Sequence, residues 1–297
     1  MLLTPSTIGA IQQDPLRRTF KQASLDLRFA DNKSLVDATT GQNLVTFTRA
    51  SSGTYVNSQG VIQRATTNLL LQSNGFDTTW ANTSSSETAA AGIAPDGTNT
   101  AWELKDTVDA SAVVHNISQA VSITSGTTYT MSVHLKKGTL DFGAISFPSA
   151  GFTVGQVAIF NINTGTVSST TGGGTAQITA LNNGWYRCSL TATATATVAS
   201  TALNIRTSTS TSSTYQGSGT GTILIWGAQL EQSSTVGEYI PTTSTINSAP
   251  RFDHAPTTGE SLGLLVEESR TNNVLQSEDF ATTWTASNLT VTTNSVV

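Results

Sequence analysis

Apolar and hydroxyl residues alternate along most of this chain. In Thr128–Lys136, Tyr129, Met131, Val133 and Leu135 share one side, and Thr130, Ser132, His134 and Lys136 share the other. That period of two is the signature of a strand with one face against a core. It places His134 on a polar, solvent-facing side. Similar strand signals recur at Ala101–Leu104, Val113–Ile123, Gln156–Ile162, Ala176–Leu181, Trp185–Ala192, Val198–Ser208 and Thr222–Glu231. Turn signals fall between them at Pro95–Gly97, Asn163–Gly165, Gly172–Gly174 and Asn182–Gly184. Trp185 and Tyr186 are sequence neighbours on a strand, so they must point to opposite faces. Nearer the start, Leu25, Leu27 and Phe29 alternate within Ser24–Phe29. Leu44–Thr48 reads as the partner strand, across a turn at Asp37–Gly41. Pro5 and Pro15 break up residues 1–22, which read as an extended arm. Strands this short and frequent predict an all-β fold, a two-sheet sandwich of jelly-roll type.

Composition sharpens that picture. The chain holds 53 Thr and 35 Ser in 297 residues, and only 11% of it is charged. Hydroxyls therefore fill the outward strand positions that Glu, Lys and Arg would occupy on helices. The 37% hydrophobic content is enough for a core and argues against wholesale disorder. Charge is partitioned. Residues 1–67 carry a balance of +3 and residues 68–297 a balance of −8. No basic stripe is interleaved with aromatics, which speaks against a nucleic-acid partner. No run of about 18 apolar residues is present, so no membrane insertion is expected. Residues 1–20 have no signal-peptide apolar core, and Cys188 is the one cysteine, so no intrachain disulfide can form.

An internal repeat divides the chain. Asn68–Trp80 and Asn272–Trp284 are identical at eight of thirteen positions, at an offset of 204. The likeness extends backwards, because Phe47 and Phe252 both open an F-x-x-A segment that leads through a glycine-containing turn. A period this long indicates repeated domains. The expected organisation is an arm (1–22), a small β unit (23–67), a jelly-roll sandwich (68–246), a linker (247–271) and the start of a second similar module (272–297). Only 26 residues follow from Asn272, too few to repeat the sandwich, so the expectation is a fragment of a longer protein.

No catalytic constellation emerges. His115, His134 and His254 lack metal-ligand spacing. Gly217–Gly221 resembles a phosphate loop but lacks a lysine and a following helix, so it reads as a flexible hairpin loop. Glu103, Asp106, Asp109, Asp141 and Glu231 are carboxylates of the type glycosidases pair, but spacing does not pair them. No enzyme activity, metal or cofactor is expected, with a capsule depolymerase as the lesser alternative.

Three motifs carry a family resemblance. Asn183-Gly-Trp-Tyr-Arg-Cys188, Ile225-Trp-Gly-Ala-Gln-Leu-Glu231 and Glu238-Tyr-Ile-Pro-Thr242 resemble the carbohydrate-binding-module-like jelly roll of bacteriophage virion proteins. Ser24–Phe29, Leu44–Tyr55 and Pro250–Asn272 are similar to segments of the same proteins, and Asn272–Trp284 to the opening of head-spike and tail-fibre domains. The resemblance implies a virion fibre or spike, commonly a homotrimer. Such a protein is anchored at its N-terminus to tail, portal or capsid proteins and projects β domains outward. Arg17, Arg18 and Lys21 are then the candidate anchoring residues. Sugar-binding jelly rolls stack aromatics on pyranose faces, which makes Trp102, Tyr186 and Tyr215 the candidate glycan contacts, while Trp80 and Trp226 are expected in the core. A host-surface glycan is thus a further possible partner. Bound calcium would follow the same analogy, but no Asp-rich loop supports it.

Overall fold

A computed structural model of the chain describes residues 24–31, 33–209, 212–267, 284–285 and 287–288. The arm and most of the second repeat copy lie outside these residues. Strands follow one another almost without interruption. A small hairpin comes first, β1 (Thr54–Val56) and β2 (Ile62–Arg64), then β3 (Thr67–Asn68). Next are β4 (Ala81–Thr83), β5 (Ser85–Gly92), β6 (Ala101–Asp106), β7 (Val113–Val114), β8 (Asn116–Ile123) and β9 (Thr128–Lys137). They are followed by β10 (Phe142–Phe147), β11 (Gln156–Asn161), β12 (Thr166–Thr171), β13 (Thr175–Ala180), β14 (Trp185–Thr193) and β15 (Val198–Ser208). The series ends with β16 (Thr214–Tyr215), β17 (Thr222–Glu231), β18 (Asn247–Ser248), β19 (Phe252–His254) and β20 (Ser261–Leu264).

Two six-stranded antiparallel sheets form the sandwich. The first has the order β12-β11-β10-β15-β8-β4 and the second β13-β14-β9-β17-β6-β5. Their inner faces meet in one core that includes Tyr129, Met131, Val133, Leu135, Ile145, Phe147, Phe160, Leu203, Ile205, Ile223 and Ile225. The chain crosses between the sheets repeatedly, in the manner of a jelly roll. The apolar side of β9 faces the core as read, its four apolar residues each at most 1% exposed, but Thr130, Ser132 and His134 on the other side are buried as well.

The strands not anticipated are informative. Ser85–Gly92 and Thr166–Thr171 are edge strands whose residues are mostly exposed or half-buried, so nothing apolar marks them. Phe142–Phe147 sits inside its sheet and is buried on both faces, so its pattern is continuous rather than alternating. Val113–Ile123 is broken at His115 into β7 and β8.

The small β unit differs from expectation in two ways. Ser24–Phe29 and Leu44–Thr48 do not pair. The contacts there are single bridges, Leu27 to Asp37 and Val36 to Asn43. Asp37 is the cause, because its carboxylate gathers the chain locally. It accepts from the Asp26 and Thr39 amides at 2.8 and 3.1 Å and from the Thr39 and Thr40 hydroxyls at 2.7 and 2.6 Å. Those hydrogen bonds hold its pKa well below the usual carboxylate range, those from Thr40 and Thr39 foremost.

Residues 247–264 are likewise not a bare linker. β18 pairs with β3, matching Asn247 to Asn68 and Ser248 to Thr67. The β19–β20 hairpin packs on the β1–β2 hairpin. Asp253 accepts from the Val56 amide at 2.7 Å, and His254 Nδ1 donates to the Val56 carbonyl at 3.0 Å. Gly60 and Gly259, at φ +75° and +70°, lie so near Pro256 O and Ser58 O that a Cβ would come within 2.2 and 2.6 Å. The sandwich is thus inserted between two hairpins of a single small unit. The described residues from Leu265 onwards belong to a separate unit.

Candidate functional site

The repeat motif builds the closure of the sandwich. Asn68 is fully buried and uses its whole side chain on backbone. It donates to Ala228 O at 3.0 Å and Ile240 O at 2.8 Å, and accepts from the Leu70 and Leu230 amides at 3.1 Å each. Ser73 accepts from the Thr242 amide at 2.9 Å and shares a 2.6 Å bond with the Tyr239 hydroxyl. Trp80 packs on Phe76 at 5.1 Å and donates to Gln72 O at 3.3 Å. Two of the motifs that carry the resemblance, Ile225–Glu231 and Glu238–Thr242, therefore meet the repeat motif Asn68–Trp80 at one place.

Glycine 227 explains the middle motif. β17 carries one extra residue against β9 between Trp226 and Gln229. Gly227 takes φ +61° at this bulge, where a Cβ would stand 2.8 Å from His134 Nδ1. The imidazole packs beside the Trp226 and Tyr239 rings at 5.1 and 5.8 Å, with Nδ1 at 3.2 Å from Trp226 O and 3.3 Å from Gly227 O. His134 is therefore 5% exposed, not solvent-facing as its polar strand side suggested. Residues 237–242 lie over that side and bury it. Burial, aided by the nearby Arg187 charge, pulls the His134 pKa down to about 4.

Arg187 on β14 completes this covered face. It donates to Gly237 O at 2.7 Å and to Ser132 Oγ at 3.0 Å. Burial lowers its pKa, and the Glu231 carboxylate opposes that shift. Glu231, 2% exposed, accepts from the Gly237 amide at 2.9 Å and Gln229 Nε2 at 3.1 Å.

The candidate glycan residues are spent on packing. Trp102 and Tyr186 are half-buried and lie against the sandwich core. Trp102 Nε1 donates to Asn74 O at 2.8 Å, and its ring meets Phe76 edge-on at 6.1 Å. Tyr186 lies beside Gly165, so closely that a Cβ there would stand 2.5 Å from the ring. Tyr215 lies on His115 at 4.4 Å and bonds Thr207 Oγ1 at 2.8 Å. Burial pushes its phenol pKa up. The structure does not bring the three together on an outward surface. Trp226 is buried as expected, and so is Trp80. Trp226 belongs to an outer cluster with Trp185 rather than to the main core. Arg17, Arg18 and Lys21 lie outside the described residues.

The glycine-rich loop is not a loose hairpin. It wraps an internal carboxylate, because the Ser218 and Gly221 amides donate to Asp106 at 3.3 and 2.8 Å. Asp106 and Glu231 are thus occupied by backbone, Asp109 by the Thr107 hydroxyl at 3.1 Å, and Asp141 by Lys137. Among the described residues no three His, Cys, Asp or Glu side chains gather as a metal site. A groove of about 640 Å³ is lined by Leu35, Val45, Phe47, Ile240, Pro241 and Pro250, with Arg49 and Glu238 also on its wall.

One outward surface was not foreseen. On β15, Leu203 and Ile205 enter the core, so Asn204 and Arg206 face out. Register places Ala144 and Asn116 beside Arg206, and Ser146 and Ser118 beside Asn204. Arg206 donates to Ser213 Oγ at 3.2 Å, while its Nε has no partner. Burial alone lowers its pKa, with no carboxylate opposing the shift. Ser146, 1% exposed, also has an unpartnered hydroxyl. The one signal for this surface was that Arg206 is a rare cation in an acidic body.

No protein-family model matches the chain, and no curated protein matches it by sequence. Among the solved structures to which the chain is similar are two. One is the enzymatically active domain of tailspike protein 4 of bacteriophage CBA120, with TM-score 0.33 and 15% identity, over 55% of this chain and 21% of that one. The other is the Clostridium thermocellum endo-1,4-beta-D-xylanase 10B, its CBM22-1 and GH10 modules complexed with xylohexaose, with TM-score 0.32 and 14% identity, over 59% of this chain and 29% of that one. The chain spans less than a third of either.

Proposed function

We propose that this chain is a non-catalytic phage virion protein, a fibre or spike. In this reading its N-terminus attaches to tail, portal or capsid proteins, and its sandwich contacts the host surface. The observation that carries the reading is the convergence of two resembling motifs, Ile225–Glu231 and Glu238–Thr242, on the repeat motif Asn68–Trp80. Asn68, Ser73, Gly227, Gln229 and Glu231 are all engaged in holding the sandwich closed. What the chain has in common with that group is thus a scaffold, as suits a structural part. The small unit supports assembly, since Leu25, Leu44, Val61, Ile62 and Leu262 are each more than half exposed. Apolar surface of that kind suits a second or third copy, or a virion partner. Residues 1–22, with Arg17, Arg18 and Lys21, are proposed as the anchor.

The test is deletion of residues 1–22, followed by particle assembly. The truncated protein is expected to stay folded by circular dichroism and to be lost from purified virions. Normal incorporation would overturn the anchoring role. The second reading is a glycan-binding module, which a glycan array on the folded chain tests.

A further inference from the structure

We infer that a polar pocket at the junction of the small unit and the sandwich binds a neutral sugar, with Glu231 as its buried acceptor. The site deepens the second reading, a glycan-binding module, and rests on it. The pocket has a volume of about 440 Å³ and lies between residues 63–67 of the small unit and the strap 232–237 that follows β17. Glu231 is part of its wall. That side chain is 2% exposed, yet the fold uses only one of its oxygens. Oε1 accepts from the Gly237 amide at 2.9 Å and from Gln229 Nε2 at 3.1 Å, whereas Oε2 accepts from no described residue. Arg187 does not supply the missing donor, because its two terminal nitrogens donate to Gly237 O and Ser132 Oγ. Native proteins rarely leave a buried polar atom without a partner.

The space before Oε2 is kept open by a glycine. A Cβ on Gly237 would stand 2.9 Å from Oε2 and 3.0 Å from Thr66 Cγ2. Gly237 is not among the glycines with positive φ, so its backbone does not call for glycine. The room in front of the carboxylate does. The other wall groups set the charge of the ligand. Arg64 is exposed at the same pocket and donates to Gln232 Oε1 at 2.6 Å. A cation would meet the Arg64 charge and an anion the Glu231 charge, and a neutral ligand meets neither penalty. Gln63, Thr66, Ser233 and Thr235 add amide and hydroxyl groups, and Leu69 and Ile246 add apolar contact. A concave site with a few placed polar groups suits a small polar ligand. Sugar hydroxyls both donate and accept, so one can donate to Glu231 Oε2 while its neighbours accept from Arg64 and Gln63.

The experiment titrates the full chain by calorimetry with galactose, glucose, mannose and N-acetylglucosamine. Galacturonate and galactosamine serve as the anionic and cationic controls. At least one neutral sugar is expected to bind, more tightly than either control. Gly237→Ala, which sets a methyl group against Oε2, is expected to weaken that binding by about tenfold or more. Thr66→Val removes one wall hydroxyl and is expected to weaken binding while keeping the native melting temperature, so the result does not depend on one variant. Absence of binding by all four neutral sugars would overturn the site. Preference for galacturonate or galactosamine would overturn it too. Equal affinity in the native chain and both variants would place the sugar elsewhere, removing the pocket while leaving the glycan-binding module standing. A glycan array that stays flat for the native chain would sink the module itself, and the pocket with it.

Discussion

The two outer faces of the sandwich treat the same residue type in opposite ways. On the second sheet, Arg187 lies under residues 237–242, held by Gly237 and Ser132 and offset by Glu231. On the first sheet, Arg206 has one hydroxyl partner and no opposing carboxylate. Both side chains are largely withdrawn from water. A desolvated cation with its counter-charge is ordinary internal structure. One without it costs stability. The contrast separates a face whose arginine is matched within the fold from a face whose arginine is not.

The comparison can be broken from either side. Glu231→Gln removes the buried charged acceptor of the Gly237 amide and Gln229 Nε2 and the carboxylate that opposes the Arg187 shift. The expected loss is about 3 kcal/mol, read from urea midpoints, in line with hydrogen bonds to a buried charged group. A loss below about 1 kcal/mol would mean that the covered face is not electrostatically closed. Next in size is an acid effect at the same face. His134 is neutral in the fold with a pKa near 4, against about 6.5 in an unfolded chain. Between those values the unfolded chain binds the extra proton, so stability is full above pH 6.5 and falls as pH drops towards 4. The shift corresponds to about 3 kcal/mol, and His134→Gln is expected to flatten that part of the stability-against-pH curve.

Gly227→Ala tests the bulge beneath both. Its positive φ and the nearness of His134 predict a loss of about 2 kcal/mol, with a weakened His134 contact visible as a changed imidazole chemical shift. The smallest effect has the opposite sign. Arg206→Met is expected to gain about 1 kcal/mol, and a clear destabilisation would make the two arginines alike.

The sequence made the sandwich legible because its central strands follow a simple rule. β9 and β15 alternate apolar and polar residues, β14 and β17 carry apolar runs, and the limits of all four were readable to within a residue or so. Edge strands such as Ser85–Gly92 were silent, since a strand that buries little carries no apolar period. The pairing of Ser24–Phe29 failed for another reason. Asp37 closes its own turn before the longer-range partner can act. The site was less legible than the fold. Aromatic residues invite a stacking role, yet Trp102, Tyr186 and Tyr215 are used for packing. His134 read as exposed because period two distinguishes faces, not which of them a later segment will cover. Arg206 is conspicuous only once its neighbours are known to include no acid.

The β3–β18 junction has a consequence for how such a molecule can change. The sandwich leaves the small unit at Thr67–Asn68 and returns at Asn247–Ser248, and the two points are hydrogen-bonded side by side. Any domain whose ends lie one strand spacing apart, about 5 Å, could be grafted at the same place without disturbing the paired hairpins. The junction also keeps the sandwich out of the line of tension. A pull along the chain would reach the short β3–β18 ladder before the core, so the lobe is inserted in the chain as a cassette.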